Sequence, residues 1–162
     1  MTLLVRKIEQ AKWLQKDIKN GEDASADAIT NCMKTTQNTL STWKINDATE
    51  LEHAVLAIVS NHHHLDAIDV VCFDRDGLEK EGISLIESPG ITAYEKLKDQ
   101  HVDIANLSYK SLGIVAGTII EEFKKSKIKR YTKNKIKQLL SSAIESGELD
   151  IKQLSDSLKK KL

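Results

Sequence analysis

A chain of 162 residues, with 40% hydrophobic and 30% charged side chains and a single proline, is long enough to bury its own core and too apolar to be disordered. Its 24 Lys/Arg and 24 Asp/Glu cancel to a formal net charge of zero, and no stretch approaches the roughly 20 apolar residues that a membrane span needs. Aromatic residues make up only 4%, so the interior is expected to be aliphatic.

The first twenty residues carry Arg6, Lys7, Glu9, Lys12, Lys16, Asp17 and Lys19 without an apolar run, and no secretory leader is expected. Cys32 and Cys72 stand alone, without metal-ligand spacing, which predicts reduced thiols in a cytoplasmic protein. The neutral total hides a segregation of charge. Residues 1–44 sum to +2, residues 45–106 to −9 and residues 107–162 to +7. Such asymmetry bears on partners and solubility rather than on fold.

In chain order, residues 3–8 (LLVRKI) predict a first strand, followed by a polar loop through Asn20, Gly21 and Asp23. Residues 27–45 alternate in part around Ile29, Leu40, Trp43 and Ile45 and predict a hairpin, with a helix over 24–33 as its competitor. Asp47 followed by Glu50 has capping-box spacing and opens a helix to about Asn61. Its apolar face, Leu51, Val55, Ile58 and Val59, leads into Ile68, Val70, Val71, Cys72 and Phe73, a continuous apolar run. That run predicts a central strand covered on both faces by the segments before and after it. Gly77 and Gly82 then mark a polar turn, and Ser88-Pro89-Gly90 a loop. Thr92 with Glu95 predicts a short helix, and residues 102–107 an edge strand.

The last third reads as helical. Tyr109, Leu112, Ala116, Ile119, Ile120 and Phe123 recur at helical spacing, and Gly113 and Gly117, four apart, would let a neighbouring backbone approach. Ile136, Leu139, Leu140, Ala143 and Ile144 form a second helix that Gly147 ends; Asp150 opens a third. The expected architecture is one α+β domain over residues 1–162, a small mixed sheet packed by helices, with a helical C-terminal third and a minor boundary near 124–131.

Cys72-Phe73-Asp74-Arg75-Asp76-Gly77, after an apolar strand, resembles the opening motif of haloacid-dehalogenase-type phosphatases. The resemblance implies a carboxylate nucleophile at Asp74, an acid-base at Asp76 and a bound Mg²⁺. The chain departs from that pattern at Leu78 and in placing the motif mid-chain. A calcium loop counted from Asp74 would close on Leu85, which is not acidic. The run His62-His63-His64 near Asp66 is unusual, but consecutive imidazoles rarely converge on one metal. No metal site and no cofactor is therefore expected.

Residues 124–137 hold eight positive charges and no acid: Lys124, Lys125, Lys127, Lys129, Arg130, Lys133, Lys135 and Lys137, with Tyr131 interleaved. This stretch can neutralise phosphates and stack a base, which suggests a nucleic-acid-binding accessory protein. The acidic middle suggests a different role. Glu50, Glu52, Asp66, Asp69, Asp74, Asp76, Glu79 and Glu81 predict a surface that docks a basic protein partner, as an antitoxin- or immunity-like inhibitor would. With no phosphate loop or nucleophile elbow, the sequence favours this non-enzymatic interaction module over the nucleic-acid role, and both over a divalent-metal phosphohydrolase.

Overall fold

The computed structural model describes residues 1–13 and 18–162. Its first strand, β1 (Leu3–Ile8), sends Leu3 and Val5 into one core and Leu4 and Ile8 into the other, as an alternating strand buried on both sides must. Five further strands, β2 (Leu40–Ile45), β3 (Ile68–Asp74), β4 (Ser84–Glu87), β5 (His101–Ala105) and β6 (Lys129–Tyr131), complete one sheet in the order β4-β5-β2-β1-β3-β6. Packed with helices, it is an α+β fold.

Every neighbouring pair of strands is antiparallel, where a mixed sheet is expected from the sequence. The helix α2 (Leu51–Val59) does make a crossover, from β2 to β3, but it passes over β1. β2 and β3 therefore run parallel to each other with β1 inserted between them in the opposite direction.

The expected hairpin over 27–45 is replaced by its competitor, the helix α1 (Ala26–Cys32), and only β2 remains as a strand. Ser25 accepts from the Ala28 amide at 3.0 Å and caps the helix, while Ala28 and Cys32, four residues apart, bury one stripe. Residues 77–82 are likewise not a plain turn. They belong largely to α3 (Arg75–Lys80), which follows β3 directly; Gly82, two residues past its end, has a φ of +77° that suits glycine. Leu78 of α3 is buried, and that single anchor together with the Ile83 that follows docks the segment.

β3 is covered on both faces, as its composition predicts. Ile68 and Val70 join the core beneath α2 and α5 (Lys133–Glu145), while Val71 and Phe73 join the core beneath α1, α3 and α4 (Tyr109–Lys124). It is not central, however. β1 and β2 occupy the middle, and β3 is fifth of six, flanked by β6. β5, expected at an edge, has β4 and β2 on its two sides. The proposed Thr92–Glu95 box does not form either. The Thr92 hydroxyl donates to the Ala57 carbonyl at 2.8 Å and accepts from the Tyr94 amide at 3.1 Å, and Glu95–Gln100 winds as a 3-10 helix.

A backbone does approach the face of α4 that carries Gly113 and Gly117, but the glycine it requires is Gly21: a Cβ at Gly113 would meet nothing within 4 Å, and one at Gly117 would come no closer than 3.5 Å to Gly21. The turn at Gly21 lies on that face of α4, and a Cβ at Gly21 would collide with the Gly113 carbonyl and sit 2.8 Å from the Gly117 amide nitrogen. Asp150 opens a single 3-10 turn, and Ser155 caps the short last helix α6 (Asp156–Lys159). None of the helices is long and apolar enough to cross a membrane, among the described residues.

Candidate functional site

The sheet forks at its middle. β1 pairs with β3 along its whole length, Leu3 to Ile8, but its ladder with β2 runs only from Leu3↔Ile45 to Val5↔Trp43. Beyond that point β2 continues with β5 through Leu40↔Ile104, and Arg6, Lys7 and Ile8 have no β2 partner. An open cleft of about 650 Å³ occupies the fork, within the range of small-molecule sites. The end of α2 forms one wall with Ile58, Asn61 and His62, and the loop 88–91 forms the other.

Arg6 bridges the parted strands. Its Nη1 donates to the Ser41 carbonyl at 2.8 Å, and its Nε and Nη2 both donate to the Cys32 carbonyl, at 3.1 and 2.7 Å. The guanidinium thus replaces missing ladder bonds and closes the C-terminal end of α1. It forms no ion pair among the described residues. Burial lowers its pKa to about 10, so it stays charged at neutral pH. Two of its five N–H groups have no acceptor in the described protein.

On the floor of the cleft, Ser41, His101 and Ser88 are linked. Ser41 lies opposite Asp103 and Trp43 opposite His101, so all four side chains share one face of the sheet. Ser41 Oγ is 2.7 Å from His101 Nε2. The ring's Nδ1 lies 3.2 Å from the Ser88 carbonyl and 3.4 Å from Ser88 Oγ. Ser88 Oγ also reaches Asp103 Oδ2 at 3.4 Å. Behind the ring, Trp43 meets His101 edge-on at 5.1 Å. Gly90 seals the back, because a Cβ there would stand 2.8 Å from His101 Cβ. His62, in the α2 wall, is held neutral: burial, aided by nearby Lys7, lowers its pKa from 6.5 to about 4.

The acids singled out from the sequence do not form one surface. β3 is roughly 20 Å long, at about 3.3 Å per residue, so Asp66 and Asp69 lie far from Asp74 and Asp76. Asp69 is turned inward, 5% exposed, and binds Arg130 Nη1 at 3.0 Å and the Gln10 amide at 2.9 Å. Glu52 pairs with Lys135 at 2.9 Å and Glu79 with Arg75 at 3.2 Å. Glu50 caps its own turn: the Asn46 amide at 2.8 Å, with help from the Asn46 side chain, holds its carboxyl below the usual range. Asp66, Asp74, Asp76 and Glu81 are exposed and form no ion pair among the described residues. The His62–His64 run and Asp74 sit at opposite ends of β3, so the residues proposed for a phosphohydrolase are not brought together.

The basic stretch is divided as well. Lys124 pairs with Glu121 at 2.7 Å and Lys125 with Glu122 at 3.2 Å at the end of α4. Arg130 and Lys135 are occupied by Asp69 and Glu52, and Lys137 Nζ donates to the Lys161 carbonyl at 2.8 Å. Tyr131 packs against the core below β3, and burial raises its pKa. Lys127, Lys129 and Lys133 remain exposed without an ion pair among the described residues.

Sequence reading missed the cleft residues. Arg6, Ser41, Ser88 and His101 are scattered along the chain: the pairing of β2 with β5 brings Ser41 to His101, and Ser88 arrives from the end of β4, its amide donating to the His101 carbonyl at 3.3 Å. Comparison with protein-family models, with curated proteins and with solved structures gives no match.

Proposed function

We propose that this chain is a cytoplasmic binding protein whose forked-sheet cleft takes a small molecule with one anionic end, a carboxylate or a phosphate. The observation that supports it is Arg6, a desolvated cation lining the cleft that, among the described residues, is bonded to two carbonyls and to no carboxylate, with two donors unspent. Guanidinium donors of this kind suit planar anions. Lys7 adds a second cation to the lining, and Asn61 and Ser88 supply neutral hydrogen-bonding groups for the rest of the ligand. The test is amide NMR titration with succinate and with inorganic phosphate. Saturable shifts at residues 6–8, 41 and 61, weakened about tenfold by Lys7→Ala (about 1.4 kcal/mol), are expected. Shifts that do not saturate, or that spread over all exposed lysines, would remove this reading.

A second reading, an inhibitor-like module for a basic protein partner, rests on Asp74 and Asp76. They lie exposed and unpaired among the described residues, at the end of β3 that pairs with the start of β1. Carboxylates held by a rigid strand end favour fast, salt-sensitive association. Reversing Asp74 and Asp76 to lysine should slow association with a co-purifying basic protein and flatten its salt dependence. An unchanged rate and slope would exclude this surface.

A further inference from the structure

We propose that Ser41 and His101 are a nucleophile and its general base, and that the cleft hydrolyses small carboxylic esters bearing an anionic group. The proposal rests on the reading of the cleft as a ligand site and adds a reaction to it. The Ser41 hydroxyl is on an exposed residue, whereas the imidazole it meets at 2.7 Å is 8% exposed. The tautomer follows from the partner of the other ring nitrogen. A main-chain carbonyl only accepts, so the Ser88 carbonyl at 3.2 Å places the proton on Nδ1. Nε2 is left with a lone pair directed at Ser41, and the hydroxyl donates to it. That is the arrangement of an activated nucleophile: hydroxyl, base, and a third group that orients the base. Trp43 and the close approach of Gly90 fix the ring from behind. Asp103 Oδ1 lies 3.9 Å from Nε2 on the same face of the sheet.

In the first half-reaction Ser41 Oγ bonds to the acyl carbon as its proton passes to His101 Nε2. The ester C–O bond then breaks, and the alkoxide takes that proton and leaves as the alcohol. In the second half-reaction water attacks the acyl carbon and gives a proton to Nε2. The acyl–Oγ bond breaks, the proton returns to Ser41, and the carboxylic acid is released. The sum is ester plus water to acid plus alcohol, with no other reactant. Arg6 and Lys7, which line the same cleft, supply the positive charge that would orient an anionic substrate.

The experiment combines a fluorophosphonate probe, read by intact mass and peptide mapping, with hydrolysis of the 4-nitrophenyl monoester of succinic acid. One adduct at Ser41 is expected, absent in Ser41→Ala and formed about 10²- to 10⁴-fold more slowly in His101→Gln, with ester hydrolysis falling in parallel. Ser41→Ala should still fold and unfold cooperatively, because the residue is exposed and its strand pairing with β5 does not use the hydroxyl, although the buried His101 Nε2 loses a partner. If His101→Gln does not fold, the parent's own adduct and the hydrolysis lost in Ser41→Ala carry the decision. No adduct at Ser41, or an ester rate unchanged in Ser41→Ala, overturns the proposal. If succinate still shifts the cleft amides in that case, the binding reading stands without the reaction; if it does not, both fall.

Discussion

Asp69 and Arg130 meet across the β3–β6 ladder, where they are register partners, with Nη1 3.0 Å from Oδ1 and 3.2 Å from Oδ2. One comes from the acidic middle of the sequence and the other from the basic stretch. Glu52 and Lys135 repeat the pattern between α2 and α5. The charge segregation along the chain is therefore partly cancelled in space, because the basic third lies against the acidic middle. The pair differs in its two members: Asp69 is buried and Arg130 is largely exposed. Removing the arginine leaves a buried carboxylate with, among the described residues, only the Gln10 amide, and Arg130→Ala should cost about 1 to 2 kcal/mol, discounted for solvent access to the guanidinium. Asp69→Asn in the same background should recover part of that loss. Urea denaturation of the double-mutant cycle checks it, and purely additive losses would mean that the pair is not coupled.

Val71 sits at full burial between β1 and the cover provided by α4. Val71→Ala should cost about 1 to 3 kcal/mol, from lost burial and the cavity that remains. Lys160→Ala, on an exposed residue, should leave the midpoint within about 0.5 kcal/mol. Equal midpoints for the two variants would show that the strand is not packed as described.

His62 makes stability depend on pH with a defined sign. Its folded pKa is lowered from 6.5 to about 4 by burial, reinforced by Lys7 and opposed by Asp66. Below pH 6.5 the unfolded chain takes up a proton that the folded chain refuses. Stability falls from about pH 6.5 to about pH 4 and is not lost further from this source below that. His62→Gln should therefore lose less stability than the parent between pH 7 and pH 4.5. Parallel losses measured by chemical denaturation at the two values would assign the acid sensitivity to other groups.

The elements with strong local signals were legible. β1, α2, β3, α4 and α5 announce themselves through apolar periodicity, whereas the glycine that the packing on α4 requires is Gly21, in a polar turn with no such pattern. Illegible were the short elements whose state is decided elsewhere. β4 has one exposed and one half-buried apolar residue, and the three residues of β6 form a strand only because β3 offers them an edge. The cleft was illegible for a related reason. A fork in a sheet comes from where two ladders end, and nothing local to Arg6 or Ser41 records that β1 follows β3 while β2 follows β5. The acids misled because exposure was inferred from residue type, and Asp69 on β3 alternates inward with Val71 and Phe73.

β6 is the outer strand on its side of the sheet, and its sequence is Lys-Arg-Tyr. An outer strand carries unpaired backbone donors and acceptors, and exposed lysine is a common means of preventing a second chain from adding there. Lys129 is exposed on the strand itself, and Lys127 lies just before it. This gives the basic residues a task that needs no nucleic acid. The two roles predict different outcomes for Lys127→Ser combined with Lys129→Val. If the lysines guard the edge, the variant should keep the parent's denaturation midpoint at low concentration but self-associate as concentration rises, as read by sedimentation or light scattering. If they bind phosphates, the parent should bind single-stranded DNA with an affinity that falls with salt. The variant should then show a slope shallower by about 0.7 per lost phosphate contact, while remaining as monodisperse as the parent. Self-association without DNA binding would establish edge protection, and salt-dependent DNA binding in a monodisperse variant would reverse that assignment.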